Sequence, residues 1–282
     1  MAKLSLKRRY IQLLSALLHN ANLKGFAEGR IYQGSGKGVC VPGLNCYSCP
    51  GAVGACPLGS LQSALASRSG SIPMYIIGTL LLLGLLLGRV ICGFLCPFGL
   101  VQELLHKIPS KKLKKSRWTR RLSHLKYVIL AVLAIGGSLL VGAPAFCKWL
   151  CPVGTVFGGI PLAVMNESVR GALGGLFSWK LLLAVLILGL SVPVYRVFFR
   201  FLCPLGAIYS LFAKFSLLGI EVREELCDNC GVCRAVCPVD IRTAGDRECV
   251  ACGKCVSACH TGAICWKGCK GCKGKENSHE TA

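Results

Sequence analysis

Long apolar runs separated by short polar, cysteine-bearing stretches dominate the first three quarters of the chain. Three runs, Ile72 to Ile91, Tyr127 to Phe146 and Leu181 to Phe199, each approach the roughly 20 residues that a helix needs to cross a hydrocarbon core. A less regular run from Tyr10 to about Phe26 is interrupted by His19, Asn20 and Asn22 and reads as a tilted, bundle-facing or interfacial helix. From about Glu221 charged residues return, apolar runs stop and cysteines arrive every few residues. The pattern therefore predicts three regions. Residues 1–220 form an α-helical membrane domain of about four transmembrane helices, 221–265 a compact C-terminal domain, and 266–282 a Gly/Lys/Cys-rich tail.

Composition supports a membrane home: 53% of the 282 residues are hydrophobic and only 16% charged, with a mean hydropathy of +0.58. The formal charge of +21 is unevenly placed. Lys3, Lys7, Arg8 and Arg9 precede the first apolar run, and a stretch rich in Lys and Arg with no acid runs from Lys107 to Lys126. Basic clusters beside apolar segments follow the positive-inside rule, so they point to a cytoplasmic face and away from nucleic acid. The expected topology puts the N-terminus inside, 28–71 outside, 92–126 inside, 147–180 outside, and the C-terminal domain in the cytoplasm. The short run after Arg9 lacks a small-residue cleavage site and is not expected to be a removable signal.

Cysteine changes the picture most. The chain has 20, in metal-ligand spacings rather than the scattered pairs of a secreted disulfide framework. One unit recurs four times: Cys56-Pro-Leu-Gly, Cys96-Pro-Phe-Gly, Cys151-Pro-Val-Gly and Cys203-Pro-Leu-Gly, each leading into an apolar stretch. In the expected topology the copies alternate, Cys56 and Cys151 outside, Cys96 and Cys203 inside.

The C-terminal domain reads C-D-N-C-G-V-C-R-A-V-C-P from Cys227 and C-V-A-C-G-K-C-V-S-A-C from Cys249, two copies of C-x2-C-x2-C-x3-C. A cubane needs four converging thiolates, of which a tight loop supplies three. Paired zinc knuckles are disfavoured, because they use two C-x2-C pairs across a longer gap. This stretch resembles the bacterial two-cluster ferredoxins, which implies an α+β fold and two [4Fe-4S] clusters. The resemblance assigns Cys227, Cys230, Cys233 and Cys259 to one, and Cys249, Cys252, Cys255 and Cys237 to the other. His260 stands where the second copy ordinarily has proline.

The motifs C-G-F-L-C-P from Cys92, C-K-W-L-C-P from Cys147 and F-F-R-F-L-C-P ending at Cys203 extend the resemblance. With the C-terminal domain they make the chain similar to the membrane-bound polyferredoxin family, which includes the quinol-oxidising membrane component of periplasmic nitrate reduction and the membrane electron donor of nitrous oxide reduction. The resemblance implies redox centres at Cys92, Cys96, Cys147, Cys151 and Cys203. Phe199 occupies the place of a first cysteine, so an inner site of Cys92, Cys96 and Cys203 is one thiolate short. The tail, a carboxylate, a histidine or a partner could complete it. In the first loop Cys40, Cys46, Cys49 and Cys56 join Cys147 and Cys151 on the expected outer face. Cys49, Cys56, Cys147 and Cys151 are the favoured ligands there, with Cys40 and Cys46 in reserve and a disulfide as the alternative. Cys265, Cys269 and Cys272 form C-x3-C-x2-C, either a further metal site or a thiol-bearing tail. His19, His106 and His124 have no histidine partner at i+4.

No catalytic triad, acid/base carboxylate pair or nucleotide fingerprint is visible, so bond-making chemistry is expected in partners. The expected function is electron transfer through iron–sulfur clusters: two [4Fe-4S] in the C-terminal domain and one or two more in the membrane domain. The electrons would link a cytoplasmic ferredoxin-like module to redox proteins, a quinol or an outer-face reductase, in a multi-pass inner-membrane protein with both termini cytoplasmic, in an anaerobic setting. The alternative is a metal-handling or cluster-assembly factor for a partner enzyme.

Overall fold

The computed structural model describes residues 2–67, 73–113 and 117–267. The eight larger helices are α1 (Ala2–His19), α2 (Pro57–Ala66), α3 (Met74–Leu86), α4 (Pro97–His106), α5 (Trp118–Val141), α6 (Pro152–Met165), α7 (Gly175–Leu190) and α8 (Pro204–Phe212). Two short helices, α9 (Val232–Val236) and α10 (Lys254–Ala258), and two strands, β1 (Ile220–Val222) and β2 (Ile264–Trp266), belong to the C-terminal domain.

The expectation of about four membrane-spanning helices is not met. Among the described residues only α5, with 24 residues, is both long and apolar enough to cross a membrane; α3, α6 and α7 are shorter apolar helices. The run from Ile72 to Ile91 yields a helix of 13 residues, about 20 Å at 1.5 Å per residue against a hydrocarbon core of about 30 Å. It stops because Gly88 turns left-handed at φ 50°. The run from Leu181 to Phe199 likewise ends its helix at Leu190, and Arg196 then adopts φ 53°. Hydropathy counts apolar letters and does not see these breaks.

The run from Tyr10 to Phe26 is not a span either, since α1 ends at His19. Its polarity is reversed relative to a soluble helix. Arg8, Gln12 and Ser15 are buried, while Tyr10, Leu13, Leu14, Leu17 and Leu18 are exposed. Gln12 donates to the Gly93 carbonyl at 2.8 Å and Ser15 to that of Leu95 at 2.9 Å. These bonds satisfy carbonyls that the irregular segment before Cys96 leaves open.

One local device starts α2, α4, α6 and α8. Cys56, Cys96, Cys151 and Cys203 are the N-caps, in extended backbone, and a proline follows in the first turn. Proline fits there because its missing N–H would have no helical partner. The glycine three residues after the cysteine completes the cap: the Gly206 N–H points at the Cys203 sulfur at 3.3 Å. The units before α4 and α8 are π-helical turns, Ile91–Leu95 and Phe198–Leu202, a local widening that often marks functional sites.

The four cysteines do not alternate between opposite ends of the molecule. Cys56, Cys92, Cys96, Cys151 and Cys203 share one apolar core with Leu44, Phe98, Phe146 and Tyr209. The loop expected on the outer face folds inward, so that a Cβ on Gly43 would lie 3.2 Å from the Cys96 Cα, and the Tyr209 hydroxyl donates to the Pro42 carbonyl at 2.9 Å.

In the C-terminal domain β1 and β2 pair antiparallel, Ile220 opposite Trp266 and Val222 opposite Ile264. α9 and α10 are each preceded by a left-handed glycine, Gly231 at φ 74° and Gly253 at φ 77°. Asn229 and Ala251, two residues earlier in each copy, also have positive φ, so the sequence repeat is a backbone repeat as well. The domain docks on the helical part through ions and rings. Glu248 meets Lys126 at 2.6 Å and Arg89 at 3.5 Å, Arg200 pairs with Asp240, and Phe94 packs edge-on to Trp266 at 5.8 Å.

Candidate metal centres

Four groups of cysteines gather in the described residues. The first lines a cavity of about 530 Å³ between the starts of α2 and α6, with Cys46, Cys56, Cys147 and Cys151 on its wall. Cys49, favoured over Cys46 in the sequence, does not line it; it is buried beside Asn20, whose side-chain oxygen accepts from its thiol at 3.4 Å. Proximity to proline favours Cys49 in the C-x2-C pair, whereas it is the Cys46 sulfur that faces Gly154, 3.3 Å from a Cβ there. Burial pushes Cys56 up to about 12 and Cys151 up to about 11, and raises Cys147 well above the ordinary thiol. Such thiols stay protonated unless a metal replaces the proton. Gln62, fully buried, donates to the Cys147 sulfur at 3.4 Å and receives the Phe146 N–H at 3.0 Å. Lys180 donates to the Cys147 carbonyl at 3.2 Å.

The second group is Cys92, Cys96 and Cys203, around a much narrower space walled by Phe199, Leu44 and Tyr209. Leu44 also lines the first cavity, so its side chain borders both spaces. Two arginines flank this group symmetrically. The sequence R-V-I-C-G-F-L-C-P-F-G from Arg89 aligns with R-V-F-F-R-F-L-C-P-L-G from Arg196, and each arginine bonds the other copy: Arg89 donates to the Gly206 carbonyl at 2.8 Å, Arg196 to that of Cys92. Arg196 also pairs with Glu103 at 2.7 Å, which Arg8 meets at 2.6 Å. These arginines escaped sequence reading, although extending the cysteine alignment upstream by seven residues exposes them.

In the third group Cys237, Cys249 and Cys255 sit in the small core of the C-terminal domain with Ile220, Val239 and Ile264, and the half-buried Cys252 neighbours Cys255. Burial first, then the neighbouring Cys249, Cys252 and Cys237, push Cys255 up to about 12. The fourth group, Cys227, Cys230, Cys233 and Cys259, lines a cavity of about 790 Å³. Each group thus draws three cysteines from one copy of the motif and one from the other. His260 meets Asp228 at 2.9 Å beside Cys230, all three exposed.

Cys40 forms a β-bridge with Ala55, which lines the first cavity, but does not itself line it. Cys265 lies on β2 and is disulfide-bonded; Cys269 and Cys272 lie outside the described residues. His19 bonds Ser15, and His106 contacts the Val192 carbonyl.

The spacing of the sulfurs tests which metal fits. A tetrahedral zinc with Zn–S near 2.3 Å needs sulfurs about 3.8 Å apart. Among the described residues no three cysteine sulfurs lie within 4.8 Å of one another. In the first and fourth groups, four thiols spread around an open volume suit a multi-iron core instead.

A 4Fe-4S binding domain matches the chain three times, at residues 72–116, 124–162 and 176–220, and a second 4Fe-4S binding domain matches 220–243. The chain is 28% identical over 194 residues to an uncharacterized protein of Methanocaldococcus jannaschii, covering 65% of this chain and 66% of that one. It is 32% identical over 182 residues to the methylamine utilization ferredoxin-type protein MauN of Paracoccus denitrificans, covering 63% and 59%. To the ferredoxin-type protein NapH of Haemophilus influenzae it is 28% identical over 186 residues, covering 61% and 59%. The chain spans less than two thirds of the length of each of these relatives. No solved structure matches it.

Proposed function

We propose that this chain, a member of the 4Fe-4S polyferredoxin family, carries electrons through four iron–sulfur centres in single file, from the C-terminal domain to the cavity beneath α2 and α6. Its role in iron–sulfur electron transfer follows from its 4Fe-4S domains and ferredoxin-type relatives; the route is our reading. The observation that carries it is contiguity. Cys227, Cys230, Cys233 and Cys259 would hold the most exposed cluster, and Cys237, Cys249, Cys252 and Cys255 the next. Val250, within the latter, presses on Gly93 beside Cys92. Leu44 then joins the Cys92, Cys96 and Cys203 space to the cavity of Cys46, Cys56, Cys147 and Cys151.

The clusters, when bound, supply one-electron chemistry; this chain's residues set where and how easily it happens. Burial of Cys92, Cys96 and Cys203 lowers the polarity around the group between the C-terminal domain and the first cavity, and hydrogen bonds such as that from Gln62 to Cys147 tune potential. The exposed apolar faces of α1, α3 and α7, with Leu13, Leu17, Leu82, Leu86, Leu182 and Leu186, together with α5, favour attachment to a membrane. The donor and acceptor on this reading are redox proteins or a membrane quinol. Anaerobic purification with iron and sulfide analysis and an EPR-monitored redox titration tests it. Bound, reducible clusters in the helical part as well as the C-terminal domain support the route; clusters confined to residues 221–265 defeat it.

A further inference from the structure

The cysteine group nearest the middle of the chain's core is the one whose ligand count does not close. We propose, resting on the reading of Cys92, Cys96 and Cys203 as an iron–sulfur site, that these three thiolates hold a [3Fe-4S] cluster rather than a four-iron cubane.

Three observations carry this. The first is the internal symmetry. Arg89 to Gly99 and Arg196 to Gly206 are two copies of one element, related in backbone by a π-helical turn before Cys96 and Cys203 and in side chains by the reciprocal arginine bonds. Cys92 of one copy corresponds to Phe199 of the other, so the missing thiolate is missing at a defined corner and Phe199 forms the wall there. The second is the absence of a substitute among the described residues: those lining the space include no carboxylate and no imidazole. Its one phenol, Tyr209, donates its proton to the Pro42 carbonyl at 2.9 Å. A fourth iron would face an aromatic ring, which offers no lone pair, and would be lost.

The third is charge. Arg89 and Arg196 are buried beside this group, Arg89 acting on Cys92 and Cys203 and Arg196 on Cys92 and Cys96, and each shares its carboxylate, Glu248 or Glu103, with a second cation. The Nε atoms of Arg89 and Arg196 have no hydrogen-bond partner among the described residues. Buried cations in excess of their carboxylates call for an anion. An oxidised three-iron core on three thiolates is a dianion and a four-iron core on three thiolates a monoanion, so the three-iron core answers these cations more strongly.

Electron parity makes the two cores separable. The oxidised three-iron core holds an odd number of electrons and is paramagnetic; the oxidised four-iron core holds an even number and is silent in EPR. The full chain, purified without oxygen and then oxidised mildly, should show a signal from one paramagnet per chain. In Phe199→Cys that signal should vanish and bound iron rise by about one per chain, because the fourth corner is restored. Phe199→Ala, which removes the ring but supplies no ligand, should keep it. If F199C does not accumulate, Cys203→Ser reads the site from the other side by abolishing the signal while reducible clusters remain. The proposal is overturned by an oxidised wild-type chain that is EPR-silent, or by a signal that F199C leaves unchanged, which would place it at another centre. A chain with no bound iron and sulfide overturns the underlying reading as well.

Discussion

Gly93 touches Val250 so closely that a Cβ on it would fall well inside contact distance of the Val250 carbonyl oxygen. Gly93 follows Cys92, and Val250 follows Cys249, so this close approach joins the helical part to the C-terminal domain between two cysteine groups. Gly93→Ala must push the two apart, at about 1–3 kcal/mol for an overpacked contact between rigid backbones. We expect each domain to keep its iron, while the magnetic interaction between the clusters on either side weakens. Pulsed EPR on the reduced protein reads it.

The first cavity distinguishes two neighbouring cysteines. Cys46→Ser should lower bound iron by at least one per chain, because Cys46 lines the cavity with Cys56, Cys147 and Cys151. Cys49→Ser should leave iron and sulfide per chain unchanged. Iron analysis of the two variants side by side checks this.

Gln62 bears on potential rather than assembly. Its amide donates to the Cys147 sulfur at 3.4 Å, and a hydrogen bond to a thiolate favours the reduced cluster by lessening its charge. Removing a bond worth about 1 kcal/mol shifts a one-electron couple by roughly 40 mV. Gln62→Leu should therefore lower the potential of one cluster by about that amount in a redox titration. It should also cost about 1–3 kcal/mol of stability, since the buried Phe146 N–H loses its acceptor.

Glu103 couples the fold to pH. Burial pushes its carboxyl up, but Arg196, Arg8 and the Tyr195 hydroxyl together hold it below the ordinary carboxylate value. A depressed acid stabilises the fold fully above its unfolded value near 4.5 and loses that contribution as pH falls through its lower folded value. Glu103→Gln should cost about 3–5 kcal/mol at neutral pH, because Arg8 and Arg196 are left buried without their carboxylate. The gap between wild type and E103Q should narrow in acid. Thermal melts from pH 7 to pH 3 measure both.

The chemistry was more legible in the sequence than the architecture. Spacing alone marks the cysteines, because ligation to a compact core demands it, and the C-P-x-G units are read as helix starts from proline's fixed φ. Helix lengths were not legible. An apolar run such as Ile72 to Ile91 carries no sign that Gly88 will turn left-handed and end the helix early. Nor was α1, whose buried Arg8, Gln12 and Ser15 reach carbonyls and a carboxylate about 80 to 95 residues away; such long-range bonds leave no local pattern. Spacing likewise does not say which of Cys46 and Cys49 lines the first cavity, since loop direction decides that.

The central claim is that electrons must pass the Cys92, Cys96 and Cys203 site to travel between the C-terminal domain and the cavity beneath α2 and α6. The most direct test is rapid-mixing reduction of the intact protein by a reductant too large to enter the helical part, followed by freeze-quench EPR, in wild type and in Cys92→Ser. The account predicts that in C92S the two C-terminal clusters are reduced at the wild-type rate while the cluster at Cys46, Cys56, Cys147 and Cys151 remains oxidised. Equal rates at that last cluster in both proteins would contradict it.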